Sequence, residues 1–309
     1  METTVHATGT NPSRRTVLAL GTGAVLAVAV PRSGSAYASA PHADELSRRL
    51  TDLEQQHSAR LGVFAHNTAT GRSVLHRADE RFPMCSLFKT LAAAAVLRHL
   101  DHHGEFLAKR IRYTAKDVRD AGYAPVTGTP ENLARGMTVD DLCAAAISAS
   151  DNAAGNLLLR ELGGPTAITR FCRSIGDRTT RLDRCEPDLN SAEPWRITDT
   201  TSPRAIGQTY ARLTLGTALT SKDRKRLTDS LRATTTSGEK FRAGLPSDWA
   251  VADKTAGGKY GTNHDVGLTW PPGRLPIVMA VLTTKREPDA TADNPLVAKT
   301  AALLAKALT

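Results

Sequence analysis

The sequence predicts an α+β fold in which two lobes share one cleft. Strand-like runs stand at both ends of the chain, at Leu61 to Asn67, Ser73 to Ala78 and Trp249 to Leu282, with a long helical stretch between them. An antiparallel sheet built from residues 39–85 and 233–309, flanked by helices, would carry a helical lobe formed by residues 86–232. The chain has 309 residues, 40% of them hydrophobic and 23% charged, enough for one large domain of this kind.

Residues 1–38 stand apart as an export signal. Ser13-Arg-Arg-Thr-Val-Leu18 reads as a twin-arginine motif, followed by an apolar stretch to Val30 and small residues at Ala36-Tyr-Ala38. Cleavage is expected after Ala38, with Ala40 as the alternative, and release to the periplasm or the medium. The apolar run is too short and too diluted by glycine and threonine for a membrane anchor, and no cysteine nearby could take a lipid. Gly21-Thr-Gly-Ala-Val-Leu26 looks like the start of a dinucleotide fingerprint, but no strand precedes it.

Asp44 to Gln56 reads as an amphipathic helix, and Thr68-Ala-Thr-Gly-Arg72 as the turn between the first two strands. From Leu87 apolar residues recur at helical spacing to Leu100, which puts Ser86 near a helix N-terminus and Lys89 one turn along. A serine hydroxyl needs an adjacent base to become a nucleophile, and the positive helix end favours the developing anion. Ser-x-x-Lys alone is weak, since Ser237-Gly-Glu-Lys240 repeats it in a turn with no apolar helix behind it.

Thr138 to Leu162 is helical again, with a Thr138/Asp141 cap and a polar interruption at Ser150-Asp-Asn152 that either turns side chains into a cleft or merely caps a helix. Arg184-Cys-Glu-Pro-Asp-Leu-Asn190 opens an irregular, Pro-containing stretch to Pro203, a length that marks a functional loop. Glu186 and Asn190 could hold a water there, and Arg184 and Asp199 could pin its neck. Helices are expected at Pro203 to Leu215 and Ser221 to Leu231, strands at Trp249 to Gly257, Val266 to Trp270 and Leu275 to Leu282, and a closing helix at Pro295 to Leu308.

The formal charge is +9, of which Arg14, Arg15 and Arg32 against Glu2 place two units in the leader. No basic run is interleaved with aromatics, so nucleic acid is not an expected partner. Asp101-His-His-Gly-Glu105 has no further ligands at zinc spacing, so neither a metal nor another cofactor is expected. Cys85, Cys143, Cys172 and Cys185 show no metal spacing, and their pairing is open.

Together these segments resemble the class A serine β-lactamases over essentially the whole mature chain. Arg81-Phe-Pro-Met-x-Ser86-x-Phe-Lys89 is similar to that family's nucleophile segment, Ser150-Asp-Asn152 to its second motif, Glu186-Pro-x-Leu-Asn190 to its omega loop, and Lys254-Thr255 to its edge-strand motif. The resemblance implies a β-lactamase/transpeptidase-like fold with a five-stranded antiparallel sheet, and hydrolysis of a β-lactam by a monomer. It implies Ser86 as nucleophile, with Lys89 or Glu186 as acylation base, and an oxyanion hole from the Ser86 and Gly257 backbone N–H groups. Glu186 and Asn190 would hold the hydrolytic water, and Ser150 would protonate the leaving nitrogen. Asn152 would bind the substrate's side-chain amide, Lys254 and Thr255 its carboxylate, and Tyr123 would wall the entrance.

Departures from the pattern are Ala256 in place of the usual glycine, and Lys240 or Asn263 where an auxiliary arginine is common. Gly258 and Ala93 stand where the resemblance would put the partners of Cys85 and Cys143, so neither of the family's bridges is expected. Other readings are a penicillin-binding D,D-peptidase, which lacks the water-holding pair, and a non-hydrolytic binding protein.

Overall fold

The computed structural model describes residues 40–309, so the leader and its cleavage site lie outside the described residues. In chain order come α1 (Ala40–Gln56), β1 (Arg60–Asn67), β2 (Ser73–His76), β3 (Phe82–Pro83) and, after a 3-10 turn at Cys85–Leu87, α2 (Phe88–His99). The middle of the chain holds α3 (Glu105–Ala108), β4 (Arg110–Ile111), α4 (Ala115–Ala121), α5 (Pro130–Arg135), β5 (Met137–Thr138), α6 (Val139–Ser148), α7 (Asn152–Glu161) and α8 (Thr166–Ser174). There follow β6 (Thr200–Thr201), α9 (Pro203–Thr214), α10 (Ser221–Arg232), α11 (Phe241–Gly244), β7 (Ala250–Gly258), β8 (Thr262–Trp270), β9 (Ile277–Thr284) and α12 (Asn294–Leu308).

The main sheet is five-stranded and antiparallel throughout, in the order β2-β1-β9-β8-β7, which leaves β7 as an edge. Pairing of β1 with β9 joins the two ends of the chain. Leu50 of α1 and Leu296, Ala301 and Leu304 of α12 pack with Leu61, Val63 and Val281 in one apolar cluster. A second, larger cluster joins α2, α6, α7 and α8 to the other face of the sheet. Every residue of α2 from Phe88 to Leu97 is buried, as expected of a helix apolar on all sides. The helix α9, assigned from sequence to the helical lobe, rests on β1, β8 and β9. Gly207 permits that approach: a Cβ there would lie 2.5 Å from the Phe64 ring.

Several boundaries differ from expectation by one to four residues, and two of the differences have a plain physical reason. Strand β8 starts at Thr262, four residues early, because Thr262, Asn263, His264 and Asp265 are polar yet each no more than 2% exposed. At the break between α6 and α7 the cap is Asp151, whose side chain accepts from the Ala154 N–H; Ser150, at φ 57°, precedes it.

Three contacts fix the nucleophile segment to this frame. Phe82 and Pro83 pair with Thr201 and Thr200, and the Met84 N–H donates to the Asp199 carbonyl at 2.7 Å. His264 spans the gap from the sheet: Nε2 lies 2.7 Å from the Pro83 carbonyl oxygen, and Nδ1 accepts from the Thr283 N–H at 3.1 Å. Only the neutral Nε2–H imidazole satisfies both bonds. Cys85, Cys143, Cys172 and Cys185 are all free, and the first three are buried.

Burial pushes the His264 imidazole from 6.5 down to about 4. The unfolded chain therefore binds a proton that the folded chain refuses between those values. The neutral ring's contribution, about 3 kcal/mol, is present above pH 6.5 and lost as pH falls towards 4. Urea unfolding from pH 7 to 4 should show a shallower acid slope in His264→Gln than in the parent; equal slopes would refute this account.

Candidate active site

The 3-10 turn places Ser86 one turn before Lys89, and the Lys89 ammonium donates to Ser86 Oγ at 2.9 Å. Lys89 is wholly enclosed. Its Nζ also lies 2.8 Å from the Ser150 carbonyl oxygen, 2.6 Å from Asn152 Oδ1 and 3.0 Å from Glu186 Oε1. Burial, opposed by the Glu186 charge, lowers its pKa. An ammonium has three protons for these four oxygens, while a neutral amine has two protons and a lone pair. In the neutral state the amine can donate to Ser150 and Asn152 and accept from Ser86.

Glu186 reaches the same hydroxyl, with Ser86 Oγ donating to its Oε1 at 3.2 Å. Its side chain is fully shielded from solvent. The other oxygen, Oε2, accepts from Asn190 Nδ2 at 2.5 Å, and Asn190 Oδ1 is buried with no partner among the described residues. The loop that delivers this carboxylate is tied down along its length. Arg184 Nε donates to Asp199 Oδ2 at 2.6 Å, the expected neck, and Asp199 Oδ1 caps the Asp183 and Arg184 N–H groups. Asn156 clamps Glu186 itself: Oδ1 accepts from the Glu186 N–H and Nδ2 donates to its carbonyl, both at 2.9 Å. The sequence reading missed Asn156, although it stands one turn after Asn152 on α7 and so on the same helix face.

The positive φ of Ser150 lets one residue serve two lysines. Its carbonyl faces Lys89, and its hydroxyl accepts from Lys254 Nζ at 2.8 Å. Lys254 is fully buried, its Nζ also donates to the Thr255 carbonyl at 2.7 Å, and among the described residues it forms no ion pair. Burial and then the Lys89 charge push its pKa well down.

Asn152 commits Oδ1 to Lys89 and one N–H to the Ala121 carbonyl, leaving one amide N–H for a ligand. Tyr123 is 57% exposed, and its carbonyl accepts from the Asn152 N–H. Gly257 is exposed on the edge strand, and a Cβ there would meet only the Thr262 oxygen at 3.5 Å. Ala256 is 4% exposed and belongs to the apolar cluster that holds Met84, Cys85 and Leu87, so its methyl stays out of the cleft. Gly258 comes so close that a Cβ would lie 2.9 Å from Cys85 Sγ.

The structure brings neither substitute for the auxiliary arginine onto Lys254 or Thr255. Lys240 Nζ donates to the His264 carbonyl at 3.4 Å, and Asn263 Nδ2 donates to Asn294 Oδ1 at 3.0 Å. Lys240 acts on Lys254 only through its charge, which helps to lower that amine's pKa. The second Ser-x-x-Lys is structural: Ser237 Oγ accepts from Arg242 Nε at 2.8 Å. Among the described residues no cluster of histidine, cysteine and carboxylate suits a metal ion. A groove of about 960 Å³ beside Gln55, Trp195 and Arg286 holds no comparable set of reactive groups.

A serine flanked by a buried amine and a buried carboxylate, in a sheet-and-helix fold with an open edge strand, defines an active-serine acyl-transfer site. The family model described as the beta-lactamase enzyme family matches residues 45–308. A β-lactamase of Streptomyces lavendulae is 68% identical over 302 residues, covering 97% of this chain and 99% of the relative. The solved β-lactamase of Streptomyces albus G superposes with a TM-score of 0.85 at 63% identity, covering 86% of this chain and all of that one. An ancestral class A β-lactamase gives 0.80 at 50% identity, covering 85% of this chain and 99% of its own. The chain belongs to the β-lactamase enzyme family.

Asn156→Ala should leave the Glu186 N–H and carbonyl without partners, at a cost of about 2 kcal/mol. Limited proteolysis should then cut between residues 184 and 199 faster than in the parent, with exchange of the Glu186 amide accelerated. Unchanged protection at Glu186 would remove Asn156 from this role.

Proposed function

We propose that the protein hydrolyses the β-lactam amide of penicillin- and cephalosporin-type antibiotics through an acyl-enzyme on Ser86, and so confers resistance. The observation that carries this reading is the convergence of Lys89 Nζ at 2.9 Å and Glu186 Oε1 at 3.2 Å on one serine hydroxyl. Ser86 Oγ attacks the lactam carbonyl and gives its proton to Lys89 or Glu186, both of which are in reach. The Ser86 and Gly257 N–H groups stabilise the tetrahedral oxyanion. Ser150, held by Lys254 at 2.8 Å, passes a proton to the departing nitrogen.

Glu186, shielded from solvent and bonded to Asn190, then activates water on the ester. The unpartnered Asn190 Oδ1 supports a water at that place. Lys254 and Thr255 take the substrate's carboxylate, the free Asn152 N–H takes its side-chain amide, and Tyr123 lines the entrance. The Glu186–Asn190 pair favours a hydrolase over a D,D-peptidase that stops at the acyl-enzyme. A monomer exported by the twin-arginine pathway fits the leader read from residues 1–38.

Intact-mass analysis with a chromogenic cephalosporin tests the reading. The parent should turn substrate over, Glu186→Ala should accumulate a covalent adduct, and Ser86→Ala should form none. A parent that holds a lasting adduct is a D,D-peptidase, and one that forms none is a binder. The rate of adduct formation in Glu186→Ala reports the acylation base: near the parental rate it is Lys89, about a hundredfold slower it is Glu186.

A further inference from the structure

Beyond the residues that meet the substrate, the segment between α10 and α11 presents one side chain whose placement suits a role in recognition. Thr236 Oγ1 lies 2.5 Å from Thr255 Oγ1, and either can be the donor. The backbone leading into Thr236 is stapled to two elements. Thr234 Oγ1 donates to the Asp253 carbonyl of β7 at 2.5 Å. Thr235 donates to the Ser148 carbonyl at the end of α6, through N–H at 3.0 Å and Oγ1 at 3.1 Å. The hydroxyl is therefore held against Thr255 and has little freedom to turn away.

A hydroxyl pair at this distance holds one proton between its oxygens, and the second proton must point elsewhere. If Thr236 donates, the Thr255 proton is free; if Thr255 donates, the Thr236 proton is free. Either way the pair keeps one O–H proton for a further acceptor, on or against the residue that follows Lys254 along β7. We propose that Thr236 is a positioning and specificity-determining residue for the substrate's carboxylate, acting with Thr255 as a two-hydroxyl unit. This rests on the carboxylate role given to Lys254 and Thr255 above. With valine at 236 the Thr255 hydroxyl loses its fixed partner, and its proton is free to turn to other acceptors.

Kinetics with benzylpenicillin and its neutral methyl ester test this. A hydrogen bond to a charged group is worth about tenfold in binding. Thr236→Val should raise KM for benzylpenicillin about tenfold with kcat within twofold, Thr236→Ser should restore it, and the ester should show no change. In a Thr255→Val background Thr236→Val should add little, because the two act as one unit. The proposal is overturned by a parental KM in Thr236→Val, by a kcat-only loss, by failure of serine to rescue, or by an equal effect on the ester. Absence of turnover in the parent would instead overturn the hydrolytic reading, so the two failures are distinct.

Discussion

The structure turns on a lysine and a glutamate taken wholly out of water and closed over one serine hydroxyl. Removing each charge from solvent costs several kcal/mol, and a 3.0 Å contact between Lys89 and Glu186 offsets that only if the remaining protons and lone pairs are also engaged. Here they are: the Ser150 carbonyl and Asn152 Oδ1 take Lys89 protons, and Asn190 takes the second Glu186 oxygen. Such a pair adds little to stability, but it sets an amine and a carboxylate at one serine hydroxyl. Much of the surrounding polar network serves to hold its members. Asn156 fixes the Glu186 backbone, Asp199 and Arg184 close the loop, and the left-handed Ser150 turns its carbonyl inward.

Lys254 is different in kind. It is as deeply buried as Lys89, yet among the described residues its oxygen partners are a hydroxyl and a carbonyl, and both Lys89 and Lys240 disfavour its charge. Asp265, opposite Thr255 on β8, is pushed well up by burial and by its neighbour Asp253. Among the described residues no carboxylate bonds to Lys254, and the Glu186 and Asp265 charges act on it only from a distance.

Much of this was legible in the chain. Ser86 and Lys89 stand at i and i+3 at the head of an apolar helix, and that spacing brings them together without any tertiary knowledge. Glu186 and Asn190 lie in a stretch too long and irregular to be idle. What stayed hidden are groups whose partners are remote in sequence. His264 bonds to Pro83, 181 positions away, and sits among polar residues whose burial hides the start of β8. Thr236 reads as one of several threonines in a turn until the fold sets it against Thr255. Lys240 looked available to a ligand because nothing local shows that the sheet would enclose it.

The register of one edge strand then links fold to chemistry. Along β7 the pairing with β8 runs unbroken from Ala250↔Trp270 to Gly258↔Thr262. Alternation puts Lys254, Ala256 and Gly258 on the face towards Ser150, the apolar cluster and Cys85, and Thr255 on the face towards Thr236. A slip of one residue would exchange these faces, moving the ammonium away from Ser150 and a hydroxyl into its place. This is also why an alanine is accommodated at 256. The methyl packs in the apolar cluster that includes Met84, Cys85 and Leu87, where it is 4% exposed. Gly257 has the opposite surroundings: it is exposed, and a Cβ there would meet the Thr262 oxygen at 3.5 Å, an ordinary contact.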